Sequence, residues 1–342
     1  MIALPGDMTE LPDLGGRRMD ALSDVLRVAR LKGGVFLHAE FTAPWCIAAQ
    51  VAPELCAPFM EPVAHIIPYH YVVEGELFIH TGEPDTEPAH LKAGELVLLP
   101  HNEVHFMGSA IGGRPVPAGE VITPPEGSGL FSIRHGGGGK NTRLVCGFLG
   151  CDEVEGNPVL STLPRMLVLG GEAGADEWIR STFRFAADEV AAGRPGSEAV
   201  LGKLSELLFV EAVRRYTESL PDEQTGWLAG LHDPYVARAL ALFHADVSRG
   251  WTNESLAREV GLSRSALTER FSQLIGLPPI QYLAHWRMQV AAQSLRNTSA
   301  SLAQIASSIG YESEAAFSRA FKKTFGVAPA GWRRAASAAT TA

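Results

Sequence analysis

The chain has 342 residues, of which 46% are apolar and 20% charged, enough to bury two ordinary cores, and its formal net charge is −9. No run of about eighteen apolar residues occurs, which excludes a membrane-spanning helix, and Met1-Ile2-Ala3-Leu4-Pro5-Gly6-Asp7 lacks the basic-then-apolar order of a secretory signal. The expectation is a cytoplasmic protein whose four cysteines, Cys46, Cys56, Cys146 and Cys151, are reduced thiols rather than a disulfide framework.

Residues 34 to 150 read as β-structure. Short apolar runs, Val35–Phe41, Tyr69–His80, Glu95–Leu99 and Arg143–Leu149, alternate with breaks, and turns are expected at Gly82-Glu83-Pro84-Asp85 and His101-Asn102-Glu103. Many short strands at this spacing fit a sandwich or a small barrel. The glycine run His135-Gly136-Gly137-Gly138-Gly139-Lys140 is not a phosphate loop. Arg134 stands where such a loop needs Gly, and Asn141 where it needs Ser or Thr. It reads as a flexible hairpin loop.

Helical spacing takes over after Leu160. Trp178, Thr182 and Phe185, with Ile179, Phe183 and Ala186 beside them, predict a helix over Asp176–Ala192, ended by Gly193-Arg194-Pro195-Gly196. A second helix is predicted over Ser197–Ser219. It carries two apolar stripes, Leu201, Leu204, Leu208 and Phe209, Val213, Tyr216. A surface helix needs one stripe. Two imply burial on two sides, by a dimer partner or by the β-domain and the preceding helix. Pro221-Asp222-Glu223-Gln224-Thr225-Gly226 is polar and rich in breakers, as a linker is.

From Asp233 onward the charge reverses. This part holds 12 Lys+Arg against 7 Asp+Glu, a net of +5, and leaves −14 on the remainder. A basic end on an acidic body suits a chain of which one domain meets phosphate. The same part repeats itself. Ala257 and Gly261 recur as Ala306 and Gly310, Phe271 as Phe321, Gly276 as Gly326 and Pro279 as Pro329, at offsets of 49 or 50. Each half predicts a short helix, a tight turn needing a small residue and a glycine, then a second helix capped by Ser263 or Ser313. Leu256, Val260, Leu262, Leu267 and Phe271 form the apolar side of the first half. Leu302, Ile305, Ile309, Phe317 and Phe321 form that of the second. Arg264, Ser265, Thr268 and Glu269 are left outward on one second helix, and Glu314, Ala315, Ser318 and Arg319 on the other. Such faces can enter a major groove, with Lys322, Lys323, Arg333 and Arg334 behind them for phosphate. A helix joining the halves is predicted over about Gln281–Asn297.

The stretches Ser255–Phe271 and Ile305–Pro329 resemble the AraC/XylS-type DNA-binding domain, and the resemblance covers Asp233–Arg334. It implies seven helices, with two recognition helices in successive major grooves. It places base reading on Ser265, Thr268 and Glu269, and on Ala315, Ser318 and Arg319. Glu269 and Ala315 stand where the family often has longer donors. Glu269 accepts, which favours cytosine N4, and Ala315 offers only a methyl.

His65–Gly75 and Gly94–His105 resemble the two signature strand pairs of a cupin, most closely the cupin-type sensor that precedes AraC-type domains. In enzymatic cupins the first motif supplies H-x-H and a Glu. Here Pro68 takes the place of the Glu and no H-x-H precedes it, so the enzyme's metal set is broken. His70 and His105, with His101 near and Cys46 or Cys146 as further donors, remain candidates for a divalent metal, against the plainer reading of hydrogen-bonded core imidazoles. Cys46 and Cys146 are also redox candidates.

The expected architecture is an α+β two-domain chain. A cupin-like β-barrel (20–155) is followed by paired helices for dimerisation (156–220), a linker (221–232) and an all-α domain with two helix-turn-helix units (233–334). The expected function is sequence-specific transcription regulation on double-stranded DNA by a homodimer, under a small-molecule or stress signal sensed by the cupin-like domain. The competing classes are a metal-dependent cupin enzyme fused to a DNA-binding domain and a thiol-based redox regulator.

Overall fold

Alternation gives the N-terminal strands two buried faces. In β3 (His65–Glu74), Pro68, His70 and Val72 point one way and Ile67, Tyr69 and Tyr71 the other, and all six are buried. The first set looks towards a second sheet and the second set towards helices. A computed structural model describes residues 20–29, 31–52, 56, 63, 65–82, 87–124, 131–151, 157–170, 177–179, 181–183, 185–186, 196–221 and 223–341. The chain divides into two units, Leu26–Ala229 with Gly331–Ala342, and Met1–Val25 with Gly230–Ala330.

The larger unit is β-rich. Its strands are β1 (Lys32–Thr42), β2 (Cys46–Ala49), β3, β4 (Glu76–Thr81), β5 (Ala89–Lys92), β6 (Leu96–Leu98), β7 (His105–Gly108), β8 (Val116–Pro117), β9 (Ile122–Thr123), β10 (Ser132–Gly136), β11 (Asn141–Cys151) and β12 (Leu167–Leu169). They form a seven-stranded sheet, β12-β6-β3-β11-β1-β10-β9, and a five-stranded sheet, β5-β4-β7-β2-β8. The expected closed barrel is therefore two separate sheets. The cause lies at Gly75, which breaks the run Tyr69–His80 at φ +80°. β3 ends in the large sheet and β4 restarts in the small one, and such a switch makes the corner of a sandwich rather than a continuous ladder. Phe41, Ile47, Val72, Leu77, Ile79, Met107 and Leu144 fill the space between the sheets. Burying side chains of this kind stabilises by about 1.5–3 kcal/mol each.

The glycine run 136–139 is not a hairpin. β10 pairs with β1 in parallel and β11 pairs with β1 antiparallel, so β1 lies between them and the run crosses its end. Gly137 N–H donates to Thr42 O at 2.8 Å, Gly138 N–H to Thr42 Oγ1 at 2.9 Å and Gly139 N–H to Ala43 O at 2.7 Å. Amides so fully engaged make a fixed crossover, not a flexible loop. In the expected turn at 82–85, Glu83, Pro84 and Asp85 lie outside the described residues, as do Gly193, Arg194 and Pro195.

Helix α1 (Ala21–Ala29), unforeseen in the sequence, precedes the strands, and α2 (Ala118–Val121) follows β8. Residues 177–179, 181–183 and 185–186 are helical, with Ile179, Phe183 and Ala186 buried. Helix α3 (Ser197–Ser219) covers the outer face of the large sheet together with this stretch. Phe183 stacks on Tyr71 with ring centroids 3.9 Å apart, and Tyr69 Oη lies 3.0 Å from Ser205 Oγ. Of the two covers that the second stripe allows, Val213 takes the chain's own: it is fully buried within the fold, as is Phe209. Among the described residues, the large apolar side chains that α3 does leave exposed are Val200 and Leu207. The stretch 221–232, polar at its start, carries α4 (Trp227–Gly230), in which Trp227 and Leu228 are buried.

The second unit is helical beyond Gly230. It contains α5 (Pro234–Ala245), α6 (Asn253–Val260), α7 (Arg264–Ile275), α8 (Pro279–Asn297), α9 (Leu302–Ser308) and α10 (Glu314–Phe325), followed by α11 (Pro329–Thr341). These are the seven helices that the family resemblance implies. Phe243 packs edge-on to Phe271, and Phe317 edge-on to Phe321, so each half closes over its own aromatic pair.

Candidate DNA interface and sensor cavity

In each half of the helical unit the sequence fixes a turn and a cap. Thr252 and Ser255 form a capping box at the start of α6, and Ser301 and Gln304 form one at the start of α9. Ser263 and Ser313 then cap α7 and α10, each accepting from an amide at 3.2 Å (Ala266 and Ala316). The turns between use Gly261 at φ +84° and Gly310 at φ +77°. Only the second is crowded. A Cβ at Gly261 meets nothing within 4 Å, whereas one at Gly310 would sit 2.2 Å from Ser248 O.

The outward faces hold the side chains that the pattern singled out. On α7, Arg264, Ser265 and Glu269 are exposed and Thr268 is half-buried. On α10, Glu314, Ala315, Arg319, Lys322 and Lys323 are exposed and Ser318 is half-buried. Three of the α7 groups are already engaged: Arg264 pairs with Glu254 at 2.9 Å, Ser265 Oγ lies 3.3 Å from Ser263 Oγ, and Thr268 Oγ1 donates to Arg264 O at 2.9 Å. Among the described residues Arg319 has no ion-pair partner. Further along the chain Arg333 is half-buried and Arg334 exposed. Lys322 and Lys323 lie in the last turn of α10, where a cation also complements the helix dipole.

One residue that the sequence reading passed over organises this unit. Arg287 of α8 donates from Nε to Val247 O at 2.8 Å and from Nη2 to Arg249 O at 2.9 Å. It therefore holds the loop before α6, and the Ser248 carbonyl of that loop abuts Gly310. Its only sequence signal was a charged residue on a helix with buried neighbours, Trp286 and Met288.

The sandwich holds a cavity of 330 Å³ between its sheets, lined by Leu37, Phe41, Ile47, Met107, Ile133 and Phe148 among others. Gln50 and two imidazoles interrupt the apolar wall, His70 from β3 and His105 from β7. Strand parity places His70 beside Pro68, and the facing sheet brings His105 to it, with His70 Nε2 and His105 Nε2 2.9 Å apart. Both are buried. Burial holds His105 down to about 4, and it pushes His70 well below the usual imidazole range, with the neighbouring imidazole adding to the effect. Both rings are neutral at pH 7. His101 is elsewhere, with Nε2 at 3.0 Å from Leu163 O.

The metal candidates His70 and His105 come together without a third ligand among the described residues. The two nitrogens that would coordinate are bonded to each other, and among the described residues no three His, Cys, Asp or Glu gather as a metal group. Cys146 lines the cavity, whereas Cys46 lines a separate surface hollow with His80 and Phe106. Burial raises both thiols, which keeps them protonated and slow as nucleophiles.

Comparison with known proteins agrees with this division. Residues 20–218 match a cupin family and residues 256–335 a helix-turn-helix domain family. The transcriptional regulator AlkR of Acinetobacter baylyi is 28% identical over 92% of this chain and 99% of its own length. An AraC-like regulator sequence from Streptomyces antibioticus is 31% identical, again over 92% and 99%. Among solved structures, an AraC-type DNA-binding domain protein from Chromobacterium violaceum is 30% identical over 30% of this chain and 92% of its own, with a TM-score of 0.29.

Proposed function

The chain belongs to the AraC-type transcription regulators that carry a cupin domain, and from that premise we propose that it reads DNA through α7 and α10 and senses a small molecule in its cupin domain. The observation that carries the DNA reading is the pair of capped helices whose outer faces hold Arg264, Ser265, Thr268, Glu269 and Glu314, Ala315, Ser318, Arg319. Lys322 and Lys323 add phosphate contacts, which strengthen binding without choosing sequence. The 330 Å³ cavity supports the sensor reading, being of the size and apolar character that small-molecule sites share. In this reading the domains are a cupin sensor at 20–155, a helical region at 156–220, a linker at 221–232 and the DNA-binding domain at 233–334. The regulator is a cytoplasmic homodimer that activates transcription. Val200 and Leu207, exposed seven residues apart on one face of α3, support a partner-facing surface there.

The test is to let the full-length protein select fragments from sheared genomic DNA. A shared motif with two half-sites, lost from the fragments retained by the Arg319→Ala variant at one position, is the expected result. Retained fragments with no common sequence overturn the assignment of the reading faces.

A further inference from the structure

The hydrogen-bond chain through the two imidazoles fixes what kind of molecule the cavity takes. His105 Nδ1 lies 3.0 Å from Glu103 O, and a carbonyl can only accept. His105 therefore carries its proton on Nδ1 and offers a lone pair on Nε2. His70 Nε2, 2.9 Å away, must then be the donor. A neutral imidazole has one N–H, so His70 Nδ1 is left as a bare lone pair. That atom is fully buried and has no hydrogen-bond partner among the described residues, on a side chain only 6% exposed that lines the cavity. An acceptor stranded in an apolar wall is costly, and a donor brought by an occupant relieves it.

We propose that the cavity binds a neutral, mainly apolar molecule bearing one hydroxyl, which donates to His70 Nδ1 while its body lies against Phe41, Ile47, Met107 and Phe148. The proposal rests on the sensor reading above and narrows it. A carboxylate would bring charge against a lone pair, with no cation among the lining residues to meet it. A polyol would bury further hydroxyls against a wall whose remaining polar side chains, His105 and Gln50, are already hydrogen-bonded to His70 and to Asn102 O. An occupant without a donor would fill the space and leave His70 Nδ1 unpaired. The chain of donors also makes His105 a positioning residue: by accepting from His70 Nε2 it sets which nitrogen of His70 faces an occupant empty.

The test uses full-length protein and three probes of nearly one shape, 4-ethylphenol, 4-ethyltoluene and 4-ethylbenzoate, titrated calorimetrically and by thermal shift. The phenol is expected to bind about tenfold more tightly than the toluene, the ratio that one hydrogen bond in an apolar site supplies, and the benzoate least of all. In His70→Phe the phenol should lose its advantage while the toluene still binds. If the toluene or the benzoate equals or exceeds the phenol in the wild type, the donor assignment is overturned and the sensor cavity stands. If none of the three binds or shifts the melting temperature, both fall. The wild-type series decides alone should His70→Phe fail to fold.

Discussion

The two helix-turn-helix halves share a plan and differ in how they are held. The first turns at Gly261 in open space and engages its own reading face, with Arg264 on Glu254 and Thr268 on the α7 backbone. The second turns at Gly310 hard against the Ser248 carbonyl and leaves Arg319 without an ion-pair partner among the described residues. Repetition of sequence therefore does not mean repetition of constraint. Equal motifs can carry a loose scaffold with a busy face in one copy and a locked scaffold with a free arginine in the other.

The sharpest way to break this comparison is a methyl group in each turn. Gly261→Ala should cost about 1–2 kcal/mol, the strain of a left-handed residue with room around it. Gly310→Ala adds a collision with backbone and should cost about 4 kcal/mol or more. Urea unfolding of both variants compares them, and equal losses would show that the second turn is no more constrained than the first. Arg287→Ala removes the hydrogen bonds that hold the loop carrying Ser248. It should cost about 2–3 kcal/mol for charge-assisted bonds on a half-exposed guanidinium, seen in the same unfolding curves. Arg319→Ala should lose about 1–3 kcal/mol of discrimination at one base pair, read by competition binding against single-base operator variants. Arg264→Ala should lose less, because the wild-type arginine must first leave Glu254. The reverse order would return the greater share of base reading to the first half. Ser263→Ala and Ser313→Ala probe what the halves share, and each should cost about 1 kcal/mol by thermal unfolding.

What the sequence made legible follows the range of the interactions involved. Turns, caps and outward faces in the repeat depend on residues within a few positions of one another, and Ala257, Gly261, Ser263 and their counterparts marked them. The strand parity of His70 was legible for the same reason. Its pairing with His105 was not, because that depends on how two sheets face each other. The crossover at 136–139 was misread as a hairpin since only the parallel ladder between β1 and β10 reveals that β1 lies between its flanking strands. Which cover Val213 takes was not legible, because two stripes on a helix look alike whether the second cover is a partner or the chain's own sheet. Arg287 gave almost no local sign, for its three acceptors lie about forty residues away.

Arg287 also limits how the regulator can be addressed by a promoter. Helix α8, 19 residues and about 28 Å long, joins the two halves, and the guanidinium near its middle fastens them through the loop at 247–249 and the turn at Gly310. Two readers fixed to one strut keep a constant phase. If α7 and α10 read successive half-sites as proposed, inserting a single base pair between them swings the second around the duplex by about 35°, a twist to be shared between the DNA and this strut. On the proposed reading, the distance between the half-sites is part of what this chain recognises, as much as the letters within them.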